Sequence, residues 1–325
     1  MSQQMTDQTN INALVIGGSG FVGQALVKLL LQNQYSVTLL NRGQKPIAGT
    51  QQIIADRTVP SQMKKAAEGI SHQFDVIIDV SSYSKENSEI TWQCFSHHTE
   101  HWVHLSTVAV YKDSQNKPPV ETDPIGGADI WGDYGRTKSE AEFFLHQQTK
   151  GPRITILRPP YIYGPGNDLD RETFIWSRAL QGKPVIIPGE GKTLIQFIHV
   201  DDLARAILRT FSRSKEIHTE VYNVAATEKV TLDEYVTIVA KAVNLPNPGV
   251  LGGTKTAEFK DRQYFPFRNY PCWANIDKIH KELNWQQQYS FLDGLKQTWQ
   301  RLDHKMLKER ILDTSVEDKI LANIV

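Results

Sequence analysis

The sequence predicts an α/β protein, a doubly wound parallel sheet followed by a smaller C-terminal lobe, and three observations carry that expectation. An apolar run, Leu14-Val-Ile, breaks into glycines at Gly17-Gly-Ser-Gly-Phe-Val-Gly23 and resumes as Gln24-Ala-Leu-Val-Lys-Leu-Leu-Leu31 with helical spacing. Strand and helix signals then alternate through the first half, which is the pattern of βαβ units. At 325 residues the chain is long enough for one large domain with a second lobe.

After the first strand, turn and helix, strands are expected at 35–41, 52–55, 74–80 and 102–106, with helices at 61–67, 84–96 and 134–148. A sixth strand at 154–158 runs into Pro159-Pro-Tyr-Ile-Tyr-Gly-Pro-Gly-Asn167, read as a turn-rich crossing. Beyond it Gly/Pro punctuation at 182–184 and 188–191 breaks the regularity, and Val221 to Val224 reads as a buried strand returning to the sheet. Residues 1–11 read as a polar tail, 12–165 mainly as the dinucleotide-binding domain, and 166–302 mainly as the substrate lobe. Residues 303–325 read as a charged helical extension whose apolar positions, Met306, Leu307, Ile311, Ile320, Leu321 and Ile324, point to docking on the body or on a second subunit.

Lys plus Arg equals Asp plus Glu, 36 each, so no global field favours nucleic acid or an anionic membrane. Cys94 and Cys272 form neither a C-x-x-C pair nor a disulfide framework, which fits a reducing cytoplasm. The first ten residues lack the basic and apolar regions of a signal peptide, and no apolar run is long enough to span a bilayer. His97, His98, His101 and His104 cluster without a carboxylate or thiolate at ligand spacing, so no metal is expected.

The glycines carry the first chemistry. Gly17, Gly20 and Gly23 let the backbone turn sharply and approach a pyrophosphate, while the helix that follows aims free N–H groups at it. At the end of the second strand an acidic residue would hold the ribose of NAD; this chain has Asn41-Arg42 instead. A neutral amide tolerates a 2′-phosphate and a guanidinium can pair with one, so NADP is preferred over NAD, with a solvated surface arginine as the alternative. Asp56-Arg57 is placed to meet the adenine edge, and Ser81-Ser82-Tyr83 follows the fourth strand at the sheet's carboxyl edge.

Tyr134-Gly-Arg-Thr-Lys138 puts a phenol and an ammonium on one helix face. A phenol of ordinary pKa about 10 is a poor acid-base catalyst near neutrality, and a nearby cation would lower that value. Thr107, leaving the fifth strand, can hold a substrate oxygen opposite Tyr134. His199 and Asp201-Asp202 read as caps of the next helix.

In order along the chain, the glycine turn, Leu105-Ser-Thr107 with Val110-Tyr111, Tyr134-Gly-Arg-Thr-Lys138, Arg158-Pro-Pro-Tyr-Ile-Tyr-Gly164 and Phe197-Ile-His-Val-Asp-Asp202 resemble an extended short-chain dehydrogenase/reductase, more narrowly the NAD-dependent epimerase/dehydratase family. The resemblance implies a Rossmann fold and hydride transfer at a hydroxyl or carbonyl carbon. It implies Tyr134 as general acid/base, Lys138 on the nicotinamide ribose and lowering the Tyr134 pKa, and Thr107 polarising the substrate. The expected cofactor contacts are Gly17, Gly20, Phe21, Val22, Gly23, Asn41, Arg42, Asp56, Arg57, Val80, Ser81, Lys138, Pro159 and Tyr161. Substrate contacts are expected from Tyr83, Thr107, Tyr134, Asn167, Gln196 and Arg268. Two departures bear on the substrate. Val108-Ala109 stands where sugar-nucleotide 4,6-dehydratases carry Asp-Glu, so that elimination is not expected. Ile195-Gln196 stands where epimerases carry Arg-Asp, so one diphosphate contact is lost, for which Arg262 or Arg268 could substitute. The family also implies a homodimer. Asn41-Arg42-Gly43 and Phe265-Pro-Phe-Arg268 resemble an atypical branch with RNA-binding relatives, which leaves a non-catalytic RNA-binding or regulatory protein as the alternative to an enzyme.

Overall fold

The computed structural model describes residues 11–212, 218–252 and 258–322. The strands of its main sheet are β1 (Asn12–Ile16), β2 (Ser36–Asn41), β3 (Gln51–Ile54), β4 (Val76–Asp79), β5 (His101–Leu105) and β6 (Arg153–Arg158), joined by α1 (Phe21–Gln32), α2 (Pro60–Glu68), α3 (Lys85–Phe95) and α4 (Gly132–His146). Then come β7 (Tyr161–Tyr163), α5 (Glu172–Gln181), β8 (Val185–Ile186), β9 (Leu194–His199), α6 (Val200–Arg209), β10 (Thr219–Asn223), which is the seventh strand of the main sheet, β11 (Lys229–Thr231), α7 (Leu232–Lys241) and β12 (Val250–Leu251). The chain ends in α8 (Asp277–Leu283), α9 (Phe291–Gln300), α10 (His304–Glu309) and α11 (Ser315–Ala322).

Seven strands form one parallel sheet in the order β10-β6-β5-β4-β1-β2-β3. The strand expected at 221–224 is β10, which returns to this sheet beside β6. Alternation within β1 builds both faces. Ala13 and Val15 pack with Leu26, Leu30, Leu203 and Ile207 of α1 and α6, whereas Leu14 and Ile16 pack with Met63, Trp92, Phe95 and Leu145 of α2, α3 and α4. Because β1 pairs with both β2 and β4, the winding reverses beside it, and ligands of such sheets bind where it does. Register sets Ile16 against Leu40 on one side and Asp79 on the other, so the glycine turn, Asn41 and Ser81 leave the sheet together.

The smaller lobe is built on a three-stranded sheet, β11-β9-β7, and a core of Trp176, Phe197, Tyr235, Phe267 and Phe291. The segment read as a turn-rich crossing therefore contains a strand, β7, whose Tyr161 and Tyr163 fill that core. The polar-tail reading of 1–11 lies outside the described residues except at Ile11, whose carbonyl accepts a bond from Ser36. In the C-terminal extension Leu307 and Ile320 are buried as expected, but Met306 and Ile311 are exposed: α10 has room to bury one face only, and Ile311 lies in the extended link that follows. Ile324 lies outside the described residues. No helix among the described residues is long and apolar enough to cross a membrane.

Candidate active site

At the sheet's switch point Gly17 takes φ +85°, a conformation side chains rarely adopt, and a Cβ on Gly23 would collide with the backbone of Gly17 and Gly18. Gly20 enters α1 in an extended conformation without a side-chain cap, so the first N–H groups of α1, from Phe21, Val22 and Gly23, open toward the turn. These groups fit the pyrophosphate of a dinucleotide. A cavity of about 540 Å³ runs from this turn past Asn41, Arg42, Gln44 and Lys45 to Asp56, Arg57 and Ser81. The Asn41 side-chain oxygen accepts from Gly43 N at 2.8 Å, and its amide nitrogen is buried without a partner. Asp56 ionises more readily than an ordinary aspartate, first because the Thr58 hydroxyl and N–H bond it and then because Arg42 lies near.

Arg57 lines this cavity and is also bonded beneath it. Its guanidinium turns under the cavity to grip Asp79 through two bonds of 2.7 and 2.8 Å, and also bonds Ser81, Thr91 and the Asn87 carbonyl. The cause is Asp79 at the end of β4, a fully buried carboxylate that needs a counter-charge. Arg57 thus holds the floor of the adenosine end.

A second cavity, about 650 Å³, shares Gly17, Gly20, Ser81 and Tyr83 with the first and brings in Phe21, Val22, Val80, Thr107, Tyr134, Lys138, Tyr161, Asn167 and Arg268. Tyr134 stands in the first turn of α4 and Lys138 one turn on. Below them Glu142 pairs with the buried Arg158, which in turn reaches Tyr111, and Tyr111 donates to Asn223 at 2.6 Å. This network ties α4 to β6 and β10, which accounts for the motif residues Tyr111 and Arg158. Lys138 donates to the carbonyls of Ser82 (2.7 Å) and Leu105 (2.6 Å), and burial pulls its pKa down to about 8. Thr107 leaves β5 as the cap of a short 3-10 turn, its hydroxyl accepting from Ala109 N. Tyr134 opens nearly half of its surface to the cleft. Desolvation holds its phenol above the ordinary value, Thr107 favours ionisation by hydrogen bonding, and the cation acting on it is Arg171.

Arg171 was not legible in the sequence; it follows a loop, 167–170, with no motif around it. It lies over the Tyr161 ring at 4.7 Å, donates to the Ile162 carbonyl, and keeps a buried Nε without a partner. Arg262 and Arg268 line the same end of the cavity. Burial and the charges of Arg171 and Arg268 lower the Arg262 pKa. The buried Tyr161 hydroxyl faces Cys272, whose thiol is pushed up to about 12 by burial and completes the floor. Asp168 is the one acidic residue lining this cavity among the described residues.

Two expected contacts are not in the site. Gln196 is fully buried in β9, its amide bonding the Ala226 carbonyl and the Ala274 N–H, so both of its polar atoms are committed to joining segments of the lobe. Pro159 lies one step too early: its carbonyl accepts from Val108 N, and Pro160 lines the cavity in its place. His199 caps α6 as expected, accepting from Asp201 N, while Asp202 holds the Gln288 and Tyr289 N–H groups.

The model of the NAD dependent epimerase/dehydratase family matches residues 13–225. Over 328 aligned positions, 95% of this chain and 84% of the relative, the sequence is 27% identical to the chloroplast stem-loop binding protein of 41 kDa b of Arabidopsis thaliana. It is 26% identical to the UDP-glucuronate 4-epimerase of Thermodesulfobacterium geofontis over 212 positions, 62% of this chain and 60% of that one. The UDP-glucose 4-epimerase of Thermotoga maritima, solved with UDP-glucose, superposes with a TM-score of 0.73 at 20% identity, over 90% of this chain and 98% of that one, a likeness of fold.

Proposed function

This chain belongs to the NAD dependent epimerase/dehydratase family and is an NAD(P)-dependent enzyme; within that class we propose that it oxidises, reduces or epimerises a hydroxyl/carbonyl carbon of an anionic substrate, with NADP(H) preferred. The observation that carries the proposal is that Thr107, Tyr134 and Lys138 line the cavity that opens from the glycine turn. A bound nicotinamide supplies the hydride acceptor or donor. Tyr134 moves the proton at the substrate oxygen, and Thr107 holds that oxygen by a hydrogen bond. Lys138, fixed by two carbonyls, turns its remaining N–H toward a ribose hydroxyl. Arg171, Arg262 and Arg268 hold the substrate's anionic group. Water elimination is disfavoured, since Val108 and Ala109 bring no carboxylate to the threonine.

NADP preference rests on Arg42 and Lys45, two cations at the far end of the adenosine cavity with no acid from β2 beside them. Calorimetric titration with NADPH and NADH tests it. We expect Arg42→Ala to weaken NADPH more than NADH by about 1–3 kcal/mol; equal losses would reject the phosphate contact. Tyr134→Phe should bind NADPH like the wild type and turn over nothing in a screen of hydroxy and oxo acids and sugar nucleotides. Retained turnover would remove Tyr134 from the chemistry. Because the Arabidopsis relative is named for stem-loop binding, the same titration with a stem-loop RNA tests the binding-protein alternative.

A further inference from the structure

Arg171 precedes α5 directly, and part of what fixes the start of α5 comes from outside the region matched by the family model. The neighbouring Asp170 takes two bonds from Arg310, at 2.6 and 2.7 Å, and a third from the Thr173 hydroxyl. The Arg310 carbonyl meanwhile accepts from Gln181 at the other end of the same helix, at 2.9 Å. One residue of the C-terminal extension therefore spans α5. The rest of the extension holds it there: Glu317 of α11 pairs with the buried Arg178, and Ile320 enters the core that contains Trp176. Glu317, Leu307 and Ile320 are buried where the extension docks, whereas the side chains of Asp170 and Arg310 are both more than a third exposed and contribute little to stability. A two-bond guanidinium–carboxylate pair does, however, fix geometry in a plane, and here it fixes the residue next to Arg171.

We propose that the Asp170–Arg310 pair is a positioning device for Arg171, making the C-terminal extension part of the substrate-anion site. The inference rests on the reading of Arg171, Arg262 and Arg268 as that site. Neither residue of the pair lines the cavity, so both act through the backbone of 170–171.

The test is a calorimetric titration of NADP⁺-saturated protein with inorganic pyrophosphate, the cofactor's own phosphate site being filled. Arg310→Ala removes a positive charge and Asp170→Asn a negative one. A long-range charge effect moves the two affinities in opposite directions; loss of positioning weakens both, by about tenfold if one charge-assisted hydrogen bond is forfeited. We expect both to weaken, Arg310→Lys to recover part of the loss, and Lys305→Ala, in an exposed pair elsewhere on α10, to change nothing. NADPH affinity should stay constant throughout. Opposite shifts, or no shift in either variant, would overturn the proposal while leaving the arginine site standing. Failure of the wild type to bind pyrophosphate would overturn the arginine site itself and the proposal with it.

Discussion

Two arginine–acid couples sit at opposite ends of one continuous cleft and behave in opposite ways. Arg57 and Asp79 are 22 residues apart in sequence yet meet in a two-bond pair, and although burial opposes ionisation of Asp79, the Arg57 charge and hydrogen bonds hold its carboxyl below the ordinary value. Arg171 and Glu172 are adjacent in sequence and make no bond to each other. Glu172 is buried with one oxygen unpartnered, and desolvation pushes it up to about 7 against the weaker pull of Arg171. At the cofactor end this buried pair is closed on itself, as a rigid floor requires. The substrate end leaves guanidiniums open and an acid near neutral, which is the arrangement a binding site for an anion needs.

Arg57→Ala is the most severe way to probe that difference. It strands the Asp79 carboxylate in the interior, and we expect a loss of about 3–5 kcal/mol in urea unfolding. Arg171→Ala gives up one hydrogen bond to a carbonyl and two ring contacts, with Tyr161 and Phe267, and should cost about 1–2 kcal/mol while abolishing anion binding. Equal losses of stability in the two variants would mean that Arg171 is a structural arginine like Arg57, and the contrast would be lost.

The next largest effect belongs to Glu172. Folded protein keeps a proton on this carboxyl up to about pH 7, while the unfolded chain releases it near the ordinary glutamate value of 4.5. The raised pKa makes the stabilising contribution complete below that lower value and lost as pH rises through 7. The shift corresponds to roughly 3 kcal/mol or slightly more. Glu172→Gln, a permanently neutral amide, should flatten the decline in unfolding free energy between pH 5 and pH 8. An unchanged slope would show that Glu172 is paired and ionised, like Asp79.

The same contrast explains what the sequence disclosed. The glycine turn, the six strands up to Arg158 and the Tyr134/Lys138 spacing are local patterns, and each was legible within a dozen residues. Arg57 lies just after β3 and its partner ends β4, three places away in the sheet, so the pair could not be read without knowing that β4 ends in a fully buried acid. Gln196 sat at a motif position, yet its amide was claimed by Ala226 and Ala274 from separate segments of the lobe. β7 was hidden because Pro159, Pro160, Gly164 and Pro165 surround a strand of only three residues. Arg171 carried no local mark at all; proximity to Tyr134 and Tyr161 is a product of the packed lobe.

Lys138 stands between the two extremes, and gives the smallest and most finely resolved test. Its ammonium is held by two neutral carbonyls, and burial brings its pKa down to about 8 although the charges of Asp79 and Glu142 oppose the fall. Two properties should then run in opposite directions with pH. Between about 8 and the ordinary lysine value of 10.5 the unfolded chain binds a proton that the folded protein has released, so the stability of the cofactor-free protein rises with pH. Affinity for NADPH, which uses the charged form, should fall as pH rises through 8, by about tenfold between pH 7 and pH 9. Calorimetric titrations across that range check it, and Lys138→Met should bind NADPH weakly at every pH with no alkaline limb. An affinity that stays level in the wild type to pH 9 would mean that Lys138 is as firmly charged as Arg57, and that it belongs with the closed half of the cleft.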